Sequence, residues 1–151
     1  MKATRGVLIV LLLVAGLAGS IRAQGGYGDD WRVGTKALRE AVCNTLEGQL
    51  RALRQRDFDK AYDLAAESIK ARFTPAVFAA MIRRGYPALL RHVREEPGVV
   101  REDGAGHAVV VVTVIDQLNQ RTNFRYILVD EESGWRIEGV VAEGRPPPAD
   151  T

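Results

Sequence analysis

The sequence predicts an α+β domain, with three N-terminal helices packed on a curved four-stranded antiparallel sheet in a half-open cone. Three observations carry that expectation. Apolar residues recur at helical spacing from Leu38 to Leu53, and a Thr-Pro start and a Gly stop bracket a further helix over 74–85. From about residue 89 onward the apolar period drops from 3.6 to 2.

With 151 residues the chain has room for one compact domain. Residues 1–23 read as a secretory signal peptide. Lys2 and Arg5 make a positive start, residues 7–14 (VLIVLLLV) an apolar centre, and residues 15–20 add small side chains. The apolar stretch is shorter than the roughly 20 residues a membrane span needs, and no cysteine follows it to carry a lipid. Cleavage fits after Ser20 or after Ala23, with an uncleaved N-terminal anchor as the alternative. After cleavage no stable membrane anchor is expected, and the protein should be periplasmic or secreted. Loss of Lys2, Arg5 and Arg22 takes the formal charge from +2 to −1. The basic character therefore belongs to the signal, and nothing points to nucleic acid as a partner.

Residues 24–34 (QGGYGDDWRVG) read as a flexible tether. A first helix is expected over 35–56, N-capped by Thr35, with Leu38, Val42, Leu46, Leu50 and Leu53 on its buried face. Asp57 should cap a second helix over 58–71 that turns Tyr62, Ala65 and Ile69 inward. A third starts at the cap Thr74 with Pro75 in its first turn. It carries Val77, Phe78, Met81 and Ile82 as its apolar stripe and stops at Gly85. Four strands follow. The first, over 89–101, is broken by Pro97-Gly98. A turn over 103–106 leads into 107–116 (HAVVVVTVID), apolar on both faces and therefore central. Residues 122–130 alternate Phe124, Tyr126 and Leu128 against Arg125, Ile127 and Val129. Residues 135–142 close the sheet with Trp135, Ile137 and Val141 on one face. The folded domain is thus placed at 35–143, and the proline-rich end, 144–151, is expected to be disordered.

Three stretches, residues 47–65 (EGQLRALRQRDFDKAYDLA), 72–90 (RFTPAVFAAMIRRGYPALL) and 133–140 (SGWRIEGV), resemble the bacterial family called domain of unknown function 4864. RRGYP over 83–87 and GWRIEG over 134–139 are the most specific elements of a likeness that spans residues 41–141. The order of elements is also similar to the nuclear transport factor 2-like superfamily. That resemblance implies a cone with a pocket between helices and sheet. It implies no single activity, because the superfamily includes isomerases, dehydratases, non-catalytic binders and dimerisation modules. One departure is the loop over 116–122 (DQLNQRT), which lacks the Asp-x-x-Gly turn expected there.

Metal chemistry has little to work with. His92 and His107 are the only histidines, and no cysteine or carboxylate cluster accompanies them at ligand spacing, so no metal or cofactor is expected. GGYG at 25–28 precedes any helix and cannot cradle a phosphate, and no serine nucleophile elbow is present. Cys43, the lone cysteine, can form no disulfide within its chain and reads as a half-buried small residue.

Acid–base chemistry would need an inward Asp, His or Tyr. Asp116 ends the central strand in phase with Ala108, Val110, Val112 and Val114 and is the candidate base, although a strand-end turn is its simpler role. Tyr62, Tyr86 and Tyr126 are candidate hydrogen-bond donors in the pocket, or else core aromatics with the hydroxyl at the rim. No Asp–His dyad is evident. Gln49 lies on the apolar face of the first helix. A buried amide left unpaired costs roughly 1–3 kcal/mol, so a partner is expected, in a ligand or within the domain.

These residues leave three readings open. One is a non-catalytic module that binds a small apolar or amphipathic molecule, or a protein partner. A second is an enzyme of the isomerase or dehydratase kind using Asp116. The third is a structural homodimer paired through the outer sheet face, where Val109, Val111, Ile115, Ile127 and Val129 are left over from the core.

Overall fold

Thr35 starts helix α1 (Lys36–Arg54), its hydroxyl oxygen accepting the Leu38 amide at 3.2 Å. In the computed structural model, which describes residues 30–144, this helix buries Val42, Leu46, Gln49, Leu50 and Leu53, the face its spacing predicts. The expected signal peptide, residues 24–29 of the tether and the tail from 145 lie outside the described residues. At the end of α1 the Arg56 amide donates to Leu53 O at 3.0 Å and the Asp57 amide to Ala52 O at 2.8 Å. This double closure places Arg56 at φ 58, in the left-handed region where glycine is usual.

Asp57 caps α2 (Phe58–Asp63) as expected, accepting the Lys60 amide at 3.1 Å. The single helix expected over 58–71 is instead two, α2 and α3 (Glu67–Lys70). Between them the Leu64 carbonyl accepts the Ile137 amide at 2.9 Å, and the Ala66 amide donates to the Ile137 carbonyl at 2.8 Å. Ala65 thereby forms a parallel bridge to the sheet edge. Pairing from far along the chain overrides a local sequence that has neither Gly nor Pro to interrupt it.

Helix α4 (Pro75–Gly85) begins at Thr74, whose hydroxyl oxygen accepts the Val77 amide at 3.3 Å. Phe78 and Ile82 are buried, but Val77 is exposed. One residue before Phe78, it projects about 100° around the axis from that face. Gly85 ends α4 without taking a left-handed conformation. The chain passes through Tyr86 into α5 (Pro87–Arg91), with Pro87 in its first turn. Leu89 and Leu90, expected to open a strand, are therefore helical and buried.

The sheet contains β1 (Arg32–Val33), β2 (His92–Pro97), β3 (Arg101–Glu102), β4 (His107–Asp116), β5 (Arg121–Glu131) and β6 (Gly134–Ala142). All pairs are antiparallel in the order β1-β3-β4-β5-β6, with β2 also joined to β4. The α+β class stands, with six strands rather than four. The expected strand over 89–101 is divided after Pro97, where Gly98 still donates to Val111 O at 2.8 Å. A β-carbon at position 98 would lie 2.8 Å from that same oxygen, so the close approach requires glycine. In addition, Arg32 and Val33, read as tether, pair with β3. Arg32 is ion-paired to Glu102, and Gly34 donates to the Val100 carbonyl at 3.0 Å.

Ala108, Val110, Val112 and Val114 of β4 join Phe124, Tyr126 and Leu128 of β5 in the buried core with α1. Thr45 of α1 donates its hydroxyl to the Trp135 carbonyl at 3.0 Å. On β6 a bulge changes the phase. Leu128 faces Ile137 but Ile127 faces Gly139, so Val140 comes opposite Tyr126 and Val141 opposite Arg125. The expected Trp135–Ile137–Val141 face therefore breaks after Ile137.

Candidate functional site

Helix α4 lies near β6 with α1 and α5 beside them, and the packing leaves an apolar cleft among them. Phe78, Met81 and Ile82 of α4 form one wall, and Ile137, Gly139 and Val140 of β6 the other. Ala65, Ile69, Leu89, Gln49 and Tyr86 complete the lining. Met81, Gly139 and Val140 are half-buried and form the mouth, while Phe78, Ile82 and Leu89 are buried. The space a water centre can occupy is about 40 Å³. That exceeds the roughly 10–15 Å³ a single water needs, and it is far below the roughly 300 Å³ at which drug-sized sites begin. The cleft suits a small apolar group.

Two of the five residues singled out from the sequence meet in this cleft. Gln49 donates through Nε2 to the Ala61 carbonyl at 3.1 Å, so its partner lies within the domain. That single bond uses part of an amide's capacity for two donated and two accepted bonds. Tyr86 donates its hydroxyl to the Val140 carbonyl at 3.0 Å, and burial pushes its pKa up.

The other three lie outside the wall. Tyr62 donates to Phe73 O at 2.7 Å and meets the Phe78 ring edge-on, with centroids 5.5 Å apart. Tyr126 is fully buried between Val110 and Val140, its hydroxyl has no hydrogen-bond partner, and burial drives its pKa far upward. Asp116 does not line the cleft. Its Oδ1 accepts the Leu118 and Gln120 amides at 2.8 and 2.9 Å, the turn role rather than that of a pocket base. In this loop Asn119, at φ 59, takes the left-handed place that a glycine would hold in Asp-x-x-Gly.

Elsewhere the charged groups serve the fold. His92 and His107 stand at opposite ends of β4, paired in register with Asp116 and as its first residue respectively, so they form no cross-strand pair. Among the described residues no three His, Cys, Asp or Glu side chains are grouped to hold a metal. Cys43 is half-buried, and burial raises its thiol pKa against the opposing effect of Arg39.

Sequence reasoning missed an Asp–His pair. Asp103 Oδ2 lies 2.8 Å from His107 Nδ1, and Asp103 Oδ1 accepts the Ala105 and His107 amides. Burial opposes ionisation of Asp103, but the two amides and the imidazole together hold its carboxyl below the usual range. A carboxylate four residues before a histidine, across a Gly-rich turn, was the signal. The pair is half-exposed and away from the cleft.

On the outer sheet face Val111 is exposed, and Val109, Ile127 and Val129 are half-buried. Ile115, expected among them, is buried in register between Arg94 and Arg121, whose aliphatic stems can cover it. No helix among the described residues is long and apolar enough to cross a membrane.

A crystal structure of a domain of unknown function with a cystatin-like fold, from Nostoc punctiforme PCC 73102, is 14% identical to this chain with a TM-score of 0.55. The match covers 76% of this chain and 82% of that one. At this identity the likeness concerns the fold alone. It supports a cystatin-like α+β arrangement and stops short of the narrower nuclear transport factor 2-like assignment. No curated protein matches the chain. The family model "Domain of unknown function (DUF4864)" matches residues 35–149, and the chain belongs to that family.

Proposed function

We propose that this protein is an exported, non-catalytic binding module that takes a small apolar or amphipathic group into the cleft between α4 and β6. One observation carries the reading: the cleft is walled by aliphatic, aromatic and thioether side chains around a single amide, Gln49, and a tyrosine already committed to Val140. Such a lining stabilises an apolar group by burial and offers no acid–base pair. Isomerase or dehydratase chemistry on Asp116 is disfavoured because its carboxylate is held by loop amides outside the cleft. Export, and with it a working place in the periplasm or outside the cell, is supported by the signal-like residues 1–23.

Native mass spectrometry of mature protein taken from its own host tests the reading. A bound mass, lost on denaturation and absent from a Met81→Trp variant that plugs the mouth, is the expected result. A clean chain mass, together with no binding of medium-chain fatty acids, whose methyl end is a small apolar group, would overturn it. The outer-face valines favour a second, compatible reading as a homodimer. There, sedimentation should show twice the chain mass, reduced to one by Val111→Asp.

A further inference from the structure

His92 opens β2 at its joint with α5, and its side chain has no exposed surface. Its Nδ1 lies 2.8 Å from the Leu89 carbonyl and therefore carries the proton of the neutral ring. Nε2 is left as an acceptor with no hydrogen-bond partner. Glu95 Oε2, another acceptor, lies 3.5 Å from it. That same oxygen accepts Arg54 Nη1 of α1 at 3.1 Å, and Nη1 also donates to the Val93 carbonyl at 3.3 Å. Asp116, the register partner of His92 on β4, directs Oδ1 to its own loop amides. Two acceptors thus face each other, the imidazole fully buried and the carboxylate partly exposed, with one cation holding the carboxylate between α1 and β2.

We propose that His92, Glu95 and Arg54 form a proton-operated latch between the end of α1 and the α5–β2 joint, closed while His92 is neutral and loosened when it takes up a proton. A proton on Nε2 gives the imidazole a donor aimed at Glu95 Oε2, the oxygen that Arg54 already uses. The new imidazolium then competes for that oxygen and repels the guanidinium across it. The imidazolium forms with no exposed surface, where a charge is costly, and its repulsion weakens the hold of Arg54 on Glu95 and on the Val93 carbonyl, which together tie α1 to β2. Leu89, whose carbonyl anchors the ring, also lines the cleft, so a loosened joint moves one wall of the site. Only this last consequence rests on the binding function proposed above.

The test uses ligand-free mature protein. Imidazole NMR titration should show His92 binding its proton on the acid side of the ordinary histidine range. Amide exchange, corrected for intrinsic rates, should show protection at residues 89–93 falling about tenfold between pH 7.5 and 5, the effect of one pK unit of coupling. Amides of β5 should hold their protection over the same range. His92→Gln should remove the pH dependence, and Arg54→Gln should give the loosened joint already at pH 7.5. If the ring titrates while protection at the joint is unchanged or rises, or if it stays neutral to pH 4.5, the latch is wrong. Titration with loosening in a protein that binds nothing would leave the latch standing and remove the binding function. A ligand-binding protein whose joint ignores His92 would do the reverse.

Discussion

The Tyr86 hydroxyl reaches the Val140 carbonyl at 3.0 Å and so ties the end of α4 to the edge strand β6 across the cleft. Two walls that share no covalent neighbour are held at fixed separation by this bond. Tyr86→Phe should lower stability by about 0.5–1.5 kcal/mol, the net worth of one such bond. It should also widen the mouth at Met81. Urea denaturation measures the first, and faster uptake of a medium-chain fatty acid the second; an unchanged uptake rate would show that the bond does not set the opening.

Arg56 occupies a left-handed conformation that side chains disfavour by about 1–2 kcal/mol. Arg56→Gly keeps both amide bonds that close α1 and relieves this cost. Stability should rise by about 0.5–1 kcal/mol once the greater freedom of unfolded glycine is subtracted. Thermal unfolding reads it, and a drop in midpoint would mean that the Arg56 side chain contributes more than its backbone costs.

Gly98→Ala should act in the opposite direction. Its β-carbon would meet backbone, the Val111 carbonyl oxygen at 2.8 Å, which has no rotamer with which to give way. A loss of about 1–3 kcal/mol is expected, as for overpacking in a core. Loss of the Gly98 amide's protection from exchange would locate the damage at the β2–β3 break.

The stability of the whole domain should depend on pH through His92. Burial lowers its folded pKa, outweighing the Leu89 carbonyl and Glu95, which favour the charged ring. The unfolded chain therefore binds the proton first as pH falls. Stability from this residue is complete above about pH 6.5 and declines below it. Urea midpoints taken across that window should fall less steeply for His92→Gln than for the natural chain. Parallel slopes would show that other groups govern acid unfolding.

The helix caps were legible because they are local. Thr35, Asp57 and Thr74 each accept the amide three residues on, a pattern written within four residues. The inner face of β4 was legible for the same reason, since its alternation needs no knowledge of neighbours. What escaped depends on distant pairing. Leu89 and Leu90 fit either period, and Pro87 decided for a helix. The phase of Val140 and Val141 depends on a bulge that only the β5 partner defines. The cleft joins Met81 to Val140, 59 positions on, and of its lining only Gln49, as an amide on an apolar stripe, and Tyr86, as a candidate donor, announced themselves as pocket residues.

The break between α2 and α3 has a consequence for the order in which the chain takes shape. The Leu64 carbonyl and the Ala66 amide give up helical partners for Ile137, which leaves the ribosome more than 70 residues later. Until β6 arrives, residues 58–71 have α1 to pack on but no strand to pair with Leu64 and Ala66, and their own sequence favours an uninterrupted helix. The finished domain thus requires its last strand to undo part of what its first half builds. Chemical shifts of a chain ending before Gly134 should show continuous helix through Ala65, and a break already present there would place the instruction in the local sequence instead. The last strand of the domain is in this sense an editor of its first half, and the helical layer reaches its final form only after synthesis of the domain is nearly complete.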